Sequence, residues 1–333
     1  DKVPVGRPCS PLPGEEDAPS AIFIREASQR LVGAGFTECF HYSLRGADEV
    51  ERTLGANHTA LALDNPLTAE QTHIRASLLP GLAQALATNV SVHADPRGLF
   101  EVGIVFRPQA DGTVREFLAV AVAQLASPLT RSWQARPEFD GLRVKRLLQD
   151  LVALAGVAEH RLNYVATESG LWQKNHAAIL QDRGRVAEGA FGTLSLKWTR
   201  NLGLKGAVIA GEVLLPRSAF KEARKLARFE AFSSFPPSTK DVAVIVPLNV
   251  AAGEVESRVR QAATKAAGKE FGLESVTCFD VFTGPGLPPD TRSLAFEIHW
   301  RHATRTLTDE ETNQALGVVI AALEKGSGWT VRR

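Results

Sequence analysis

From Leu294 to Trp300 the apolar residues fall at every second place (Leu294, Phe296, Ile298, Trp300), while Glu297, His299 and Arg301 stand between and just after them. A side-chain period of two predicts a strand with one face in a core and the other in water. The next residues are equally constrained. Thr308 and Glu311 have capping-box spacing, and Asp309 and Glu310 add negative charge where a helix exposes its free N–H groups. A helix is therefore predicted here, with Leu316, Val319, Ile320 and Leu323 inward, ended by Gly326 and Gly328 before a last strand, Trp329 to Arg333.

The remainder must supply the partners of this strand and helix. At 333 residues the expectation is about two domains. Apolar residues make up 44% and charged residues 23%, the balance of a folded soluble chain. A net charge of +1 gives no general basic field, so any RNA contact has to come from local placement. Cys9, Cys39 and Cys278 are odd in number and unpaired in spacing, which argues against a disulfide framework or a zinc site and suits a reducing, cytoplasmic setting. No apolar run approaches the roughly 20 residues of a membrane span. Methionine is absent, initiator included, which points to a fragment or to methionines missing from the sequence.

Taken in order, residues 1–19 are rich in Pro, Gly and Glu and predict an extended lead-in. Ser20 to Ala34 predicts a helix with Ile24, Ala27 and Leu31 on one side, closed by Gly35. The stretch FTECFHYSL has strand composition, Asn65-Pro66 marks a turn, and Leu78, Leu82 and Leu86 stripe a helix beginning near Pro80. Residues 99–106 and 117–125 are apolar runs suited to strands covered on both faces. A helix follows over 142–155, and further strands are predicted at 176–180 and 207–215. Between about 221 and 240 the composition passes from charged to Ser and Pro, the best domain boundary. Beyond it the pattern is βαββαβ, a ferredoxin-like split βαβ domain whose helices cover one sheet face and leave the other available.

FPPSTKDVAVIV, CFDVFTG and SLAFEIHWRHATRTLTDEETN together resemble the ferredoxin-fold anticodon-binding domain that ends bacterial phenylalanyl-tRNA synthetase beta subunits. DNPLTAEQTHIRASLLPGL and LFEVGIVF resemble the catalytic-like module of the same family. The resemblance implies an α+β fold: a class II synthetase-like antiparallel sheet module without an active site over 20–228, then the ferredoxin-like domain over 229–333. It also implies partnership with an alpha subunit in a heterotetramer of two alpha and two beta chains, contact with tRNA, and a holoenzyme that uses ATP and magnesium while this portion binds no cofactor. No membrane association is expected.

Chemistry in the first region would need an Arg on a strand and a second Arg from a Gly-rich passage to hold a nucleotide phosphate. Arg75 and Glu101 sit where the first motif belongs, but AVIAGEVLLPRSAF lacks the second, so Arg75 and Glu101 are expected to be structural or subunit-interface residues and no catalytic residue is assigned. His299 and His302 lack further ligands nearby, and no metal site is assigned. The glycines over 184–192 read as turns. From Ser233 onward there are eleven Lys or Arg against twelve Asp or Glu, but the cations cluster about the strands. Lys240, Phe279, Arg292, His299, Arg301, Arg305 and Arg332 are therefore the expected RNA-contacting residues, by stacking and phosphate pairing. Where the family usually has Arg this chain has Lys240, a point charge in place of a bidentate fork. Two other readings are a self-sufficient single-chain synthetase and an RNA-free interaction module on the same scaffold.

Overall fold

The computed structural model describes residues 6, 17–54, 60–92, 98–109, 111–127, 139–168, 170–184, 186–220, 229 and 233–332. Most of the expected lead-in, 1–19, and of the charged part of the boundary lies outside them. The chain divides into two compact units, Asp1–Lys225 and Leu226–Arg333.

The N-terminal unit runs α1 (Pro19–Gly33), β1 (Thr37–Glu38), β2 (Leu44–Arg45), α2 (Ala47–Leu54), β3 (His73–Ile74), α3 (Leu79–Ser91), β4 (Leu99–Pro108), β5 (Val114–Leu125), α4 (Gly141–Leu154), β6 (Leu162–Ala166), β7 (Trp172–Asp182), β8 (Glu188–Leu194), α5 (Leu196–Asn201) and β9 (Val208–Pro216). Seven strands form one sheet in the order β1-β4-β5-β9-β8-β7-β6, antiparallel except for the short parallel pair β1-β4. The continuous apolar runs become central strands because both faces are covered. On β5, Leu118, Val120 and Val122 join the core under α1 and α4, while Ala119, Ala121 and Ala123 face the core under α3. Asp140 caps α4 by accepting a hydrogen bond from the Arg143 N–H at 2.9 Å. In α1 the inward residues are Phe23, Ala27 and Leu31, and Gly35 adopts φ +91° just past the helix, as the αL position requires. Ile24, expected inward, is 38% exposed; Phe23 takes that side.

Two carboxylates are buried on the α3 side of the sheet. Glu101 accepts from Arg75 Nη1 at 2.6 Å and lies 2.6 Å from His41 Nδ1. Arg75 also donates to the carbonyls of Ile104 (2.9 Å) and His41 (3.2 Å). Arg75 and Glu101 are 5% and 1% exposed. Gly103 leaves room for this guanidinium: a Cβ there would collide with Arg75 Nη2. Glu212 accepts from the Leu78 N–H (2.7 Å) and Ser77 Oγ (3.0 Å), with Arg107 at 3.5 Å, and burial pushes its carboxyl above the ordinary range.

Two further features differ from expectation. FTECFHYSL yields only the two-residue strands β1 and β2, because the backbone between them bonds to Glu101 and Arg75 instead of a ladder. The glycines of 184–192 are not all turns: Gly189 and Gly192 lie within β8. A Cβ on Gly189 would meet the Glu212 carbonyl, and one on Gly192, at φ +148°, would meet the His176 backbone, so the glycines permit close strand approach.

The C-terminal unit runs β10 (Ser238–Pro247), α6 (Ala252–Ala267), β11 (Gly272–Phe282), β12 (Thr291–Arg301), α7 (Asp309–Ser327) and β13 (Thr330–Arg332). Its antiparallel sheet has the order β11-β12-β10-β13, the ferredoxin-like arrangement. Leu294, Phe296, Ile298 and Trp300 are fully buried against α6 and α7, and Trp300 Nε1 donates to the Ala263 carbonyl at 3.1 Å. The capping box at Thr308 and Glu311 is formed, and Gly328 ends α7 at φ +68°.

Replacing Arg75 by Ala leaves the Glu101 carboxyl buried without its guanidinium partner. Denaturant unfolding is expected to show a loss of about 3–5 kcal/mol, against less than about 1.5 kcal/mol for an exposed cation such as Arg146→Ala.

Candidate nucleic-acid interface

The register of the four-stranded sheet decides which side each candidate residue occupies. On β10, Val242, Val244 and Val246 face the helices, so Thr239, Asp241, Ala243 and Ile245 face away. On β12 the residues facing away are Thr291, Ser293, Ala295, Glu297, His299 and Arg301. Strand β11 follows its partner except at two irregularities, Leu273/Ser275 and Cys278/Asp280. Phe279 is the extra residue of the second one, beside Asp280 and opposite Ala295. It is 58% exposed, whereas Cys278 before it packs on the helix-side core.

One row therefore crosses the open face: Phe279 and Asp280 on β11, Ala295 on β12, Ala243 on β10, Arg332 on β13. The next row is Phe282, Ser293, Ile245, Thr330. At about 4.8 Å per strand spacing, Phe279 and Arg332 stand roughly 14 Å apart across a floor whose central residues are alanines. An aromatic at one edge, a cation at the other and nothing tall between them suit a single-stranded nucleic acid laid across the strands.

The other candidate cations are placed differently. Lys240 and Arg292 point to the helix side, in line with Val242 and Leu294. Lys240 Nζ lies 3.2 Å from Asp309, and Arg292 donates to the Val250 carbonyl at 2.7 Å. On the open side His299 Nε2 is 2.8 Å from Glu297. Arg301 makes a bidentate pair with Glu274 (2.8 and 3.0 Å), donates to the Ser233 carbonyl at 3.3 Å and also to that of Phe235. The hydrogen bonds from Arg301 pull the Glu274 carboxyl below its ordinary range. In the turn before α7, Arg305 pairs with Glu311 (2.9 Å from Nη1), which also receives the Thr308 N–H at 2.9 Å. Hydrogen bonds from Arg305, then from the Thr308 backbone, draw the Glu311 carboxyl down to about 2. Among the described residues, Arg332 is the one candidate cation on the open face without a carboxylate partner.

Asp280, Ala295, Ala243 and Ser293 did not emerge from the sequence as site residues. Alternation on β12 does place Ser293 and Ala295 opposite the core residues, but the bulge that turns Phe279 and Asp280 outward has no sequence mark.

This arrangement defines a class: residues 233–332 match the ferredoxin-fold anticodon binding domain. Residues 3–215 match the phenylalanyl tRNA synthetase beta chain CLM domain, and the chain belongs to the phenylalanyl-tRNA synthetase beta chain family. Similar relatives are the phenylalanine–tRNA ligase beta subunits of Synechococcus sp. strain JA-2-3B'a(2-13), 33% identical over 93% of this chain and 37% of that one, and of Pseudomonas syringae pv. tomato, 29% identical over 100% and 40%. A Bacillus cereus beta subunit is 30% identical over 100% and 41%. The chain thus spans about two fifths of the length of these curated relatives.

The Arg305–Glu311 pair carries a pH signature. The lowered carboxyl contributes stability above its unfolded value near 4.5 and loses it as pH falls through about 2. Glu311→Gln is expected to flatten the acid limb of a stability-against-pH curve over that window. Thr308→Ala, which removes the cap, is expected to cost about 1 kcal/mol at neutral pH by thermal or denaturant unfolding.

Proposed function

We propose that this chain is the C-terminal portion of a non-catalytic beta subunit of phenylalanine–tRNA ligase. On this reading residues 20–228 form a scaffold against the alpha catalytic subunit, and residues 229–333 touch the anticodon region while the holoenzyme charges tRNA with phenylalanine. ATP and magnesium serve the alpha subunit, in a cytoplasmic heterotetramer of two alpha and two beta chains. Family membership and the beta-subunit relatives favour this over a self-sufficient single-chain synthetase.

The observation that carries the RNA contact is the row Phe279–Asp280–Ala295–Ala243–Arg332. Alanine side chains let a base lie close to the sheet. Phe279 offers a π-face for stacking, and Arg332 a cation for a phosphate oxygen. The exposed Asp280 carboxylate accepts hydrogen bonds, so it favours a base edge carrying N–H donors. The neighbouring acidic groups Asp241 and Glu297 limit phosphate attraction on this face, which assigns recognition more to stacking and base edges than to charge.

Titration of the chain with phenylalanine tRNA tests this. Phe279→Ala is expected to weaken binding by about 1–3 kcal/mol, and Arg332→Ala to weaken it and lower the salt slope by about one. Lys240→Ala, on the helix side, is expected to leave affinity unchanged; equal losses for all three variants would reject the assigned face. The chain without an alpha subunit is expected to show no phenylalanine-dependent pyrophosphate exchange.

A further inference from the structure

The hairpin of β4 and β5 carries two arginines directly opposite each other, Arg107 paired in register with Arg115. Arg107 is in step with Val105 and Arg115 with Phe117, both of the core under α3, so the two side chains stand on the α3 side of the sheet. Cross-strand neighbours of this kind have Cβ atoms about 4.5–5.5 Å apart, and like charges there repel. Each guanidinium is nevertheless held in place. Arg107 Nε donates to the Ala76 carbonyl at 3.1 Å, and the Arg115 guanidinium lies over the Phe117 ring, 5.0 Å from its centroid.

The carboxylates around them leave this charge largely unanswered. Glu101 is taken by Arg75 and His41. Glu212 lies 3.5 Å from Arg107 Nη2, the limit of a hydrogen bond, and burial pushes its carboxyl towards the neutral form. Asp111, near the turn of the same hairpin, accepts from the Thr113 N–H and from Thr113 Oγ1. Glu116 alternates to the other face of the sheet. Among the described residues Arg115 has no carboxylate partner. Both arginines are open to solvent, Arg115 exposed and the Arg107 side chain 31% accessible.

We propose that Arg107 and Arg115 form a binding site for a phosphate group at the hairpin end of β4 and β5. The chemistry of the pair selects phosphate. A guanidinium presents its N–H donors as a rigid fork, and phosphate oxygens accept from two forks at once, whereas one carboxylate is filled by one. An anion between the two cations also replaces their repulsion by attraction to a shared charge. The carbonyl of Ala76 and the ring of Phe117 already order the two side chains, so binding loses little conformational entropy. The site binds and is assigned no chemistry. Its occupant is a phosphate of a nucleic-acid backbone or of a small phosphate compound, and the assignment does not depend on the subunit reading above.

The test is binding of inorganic pyrophosphate to the 333-residue chain, by equilibrium dialysis and by the unfolding midpoint in pyrophosphate against chloride at equal ionic strength. Wild type is compared with Arg115→Ala, with Arg107→Lys, and with Arg146→Ala, an exposed cation elsewhere. Pyrophosphate is expected to raise the wild-type midpoint. Arg115→Ala is expected to raise the dissociation constant at least about tenfold, while its midpoint in chloride holds or rises because the opposed charge is gone. Arg107→Lys keeps the charge but not the fork and is expected to bind more weakly than wild type; Arg146→Ala is expected to bind like it. The proposal is overturned if wild type gains nothing over chloride. It is overturned equally if all four proteins bind alike, an adventitious ion only, or if Arg115→Ala loses as much stability in chloride as in pyrophosphate. Titration with phenylalanine tRNA separates the two sources. A salt slope lowered by about one in Arg115→Ala assigns the phosphate to a nucleic-acid backbone. An unchanged slope together with lost pyrophosphate binding assigns it to a small phosphate compound.

Discussion

Burying a carboxylate among apolar side chains is costly unless its charge and hydrogen-bonding capacity are answered on the spot. The N-terminal unit does this twice on one side of its sheet. Glu101 is answered by Arg75 and His41, Glu212 by Ser77, the Leu78 N–H and Arg107. These partners come from the loop after β1, from the residues between β3 and α3, and from β4. The two carboxylates therefore tie together segments far apart in sequence and fix where α3 begins. The glycine at 103 and the alanines on β5 belong to the same arrangement, since larger side chains would displace the guanidinium or lift the helix.

The C-terminal unit is organised by strand alternation instead. With a side-chain period of two, a slip of one residue on β12 would send Phe296 and Trp300 to water and Glu297 and His299 into the core. The capped α7 and the packing of Trp300 against Ala263 hold the register. A uniquely specified register on the helix side also specifies the other side, so the open face is as well defined as the core. That is how a domain with nearly balanced charge can still offer an ordered surface of aromatic, small and cationic residues.

Much of this was legible beforehand, and for identifiable reasons. The β10, β12 and α7 elements announce themselves by periodicity and capping, which are local properties of the chain. The same holds for β4 and β5, long apolar runs, and for α4. Long-range register was not legible. Alternation puts Lys240 in step with Val242 and Arg292 in step with Leu294, a signal that counting cations near the strands passed over, whereas no local signal says that Phe279 sits on a bulge. The glycines of β8 look like turn residues because their purpose, close approach of β7 and β9, is visible only once those strands are side by side. Arg301 and Arg305 look like free cations in sequence because their carboxylate partners lie on other turns or strands; Glu274 is 27 residues away.

Arg301 has a consequence of a mechanical kind. It joins Glu274 on β11 to the carbonyls of Ser233 and Phe235, and Ser233 Oγ bonds to the His302 carbonyl. The segment leading into the first strand of this unit is thereby tied to the far end of the central strand β12. Tension arriving along the chain from upstream meets this junction before it reaches the β10 ladder, and it is divided between β11 and β12. The guanidinium works as a strain relief, of the sort that keeps a pull on a cable from reaching its terminals, because it spreads a load at the entry to β10 over β11 and β12 as well.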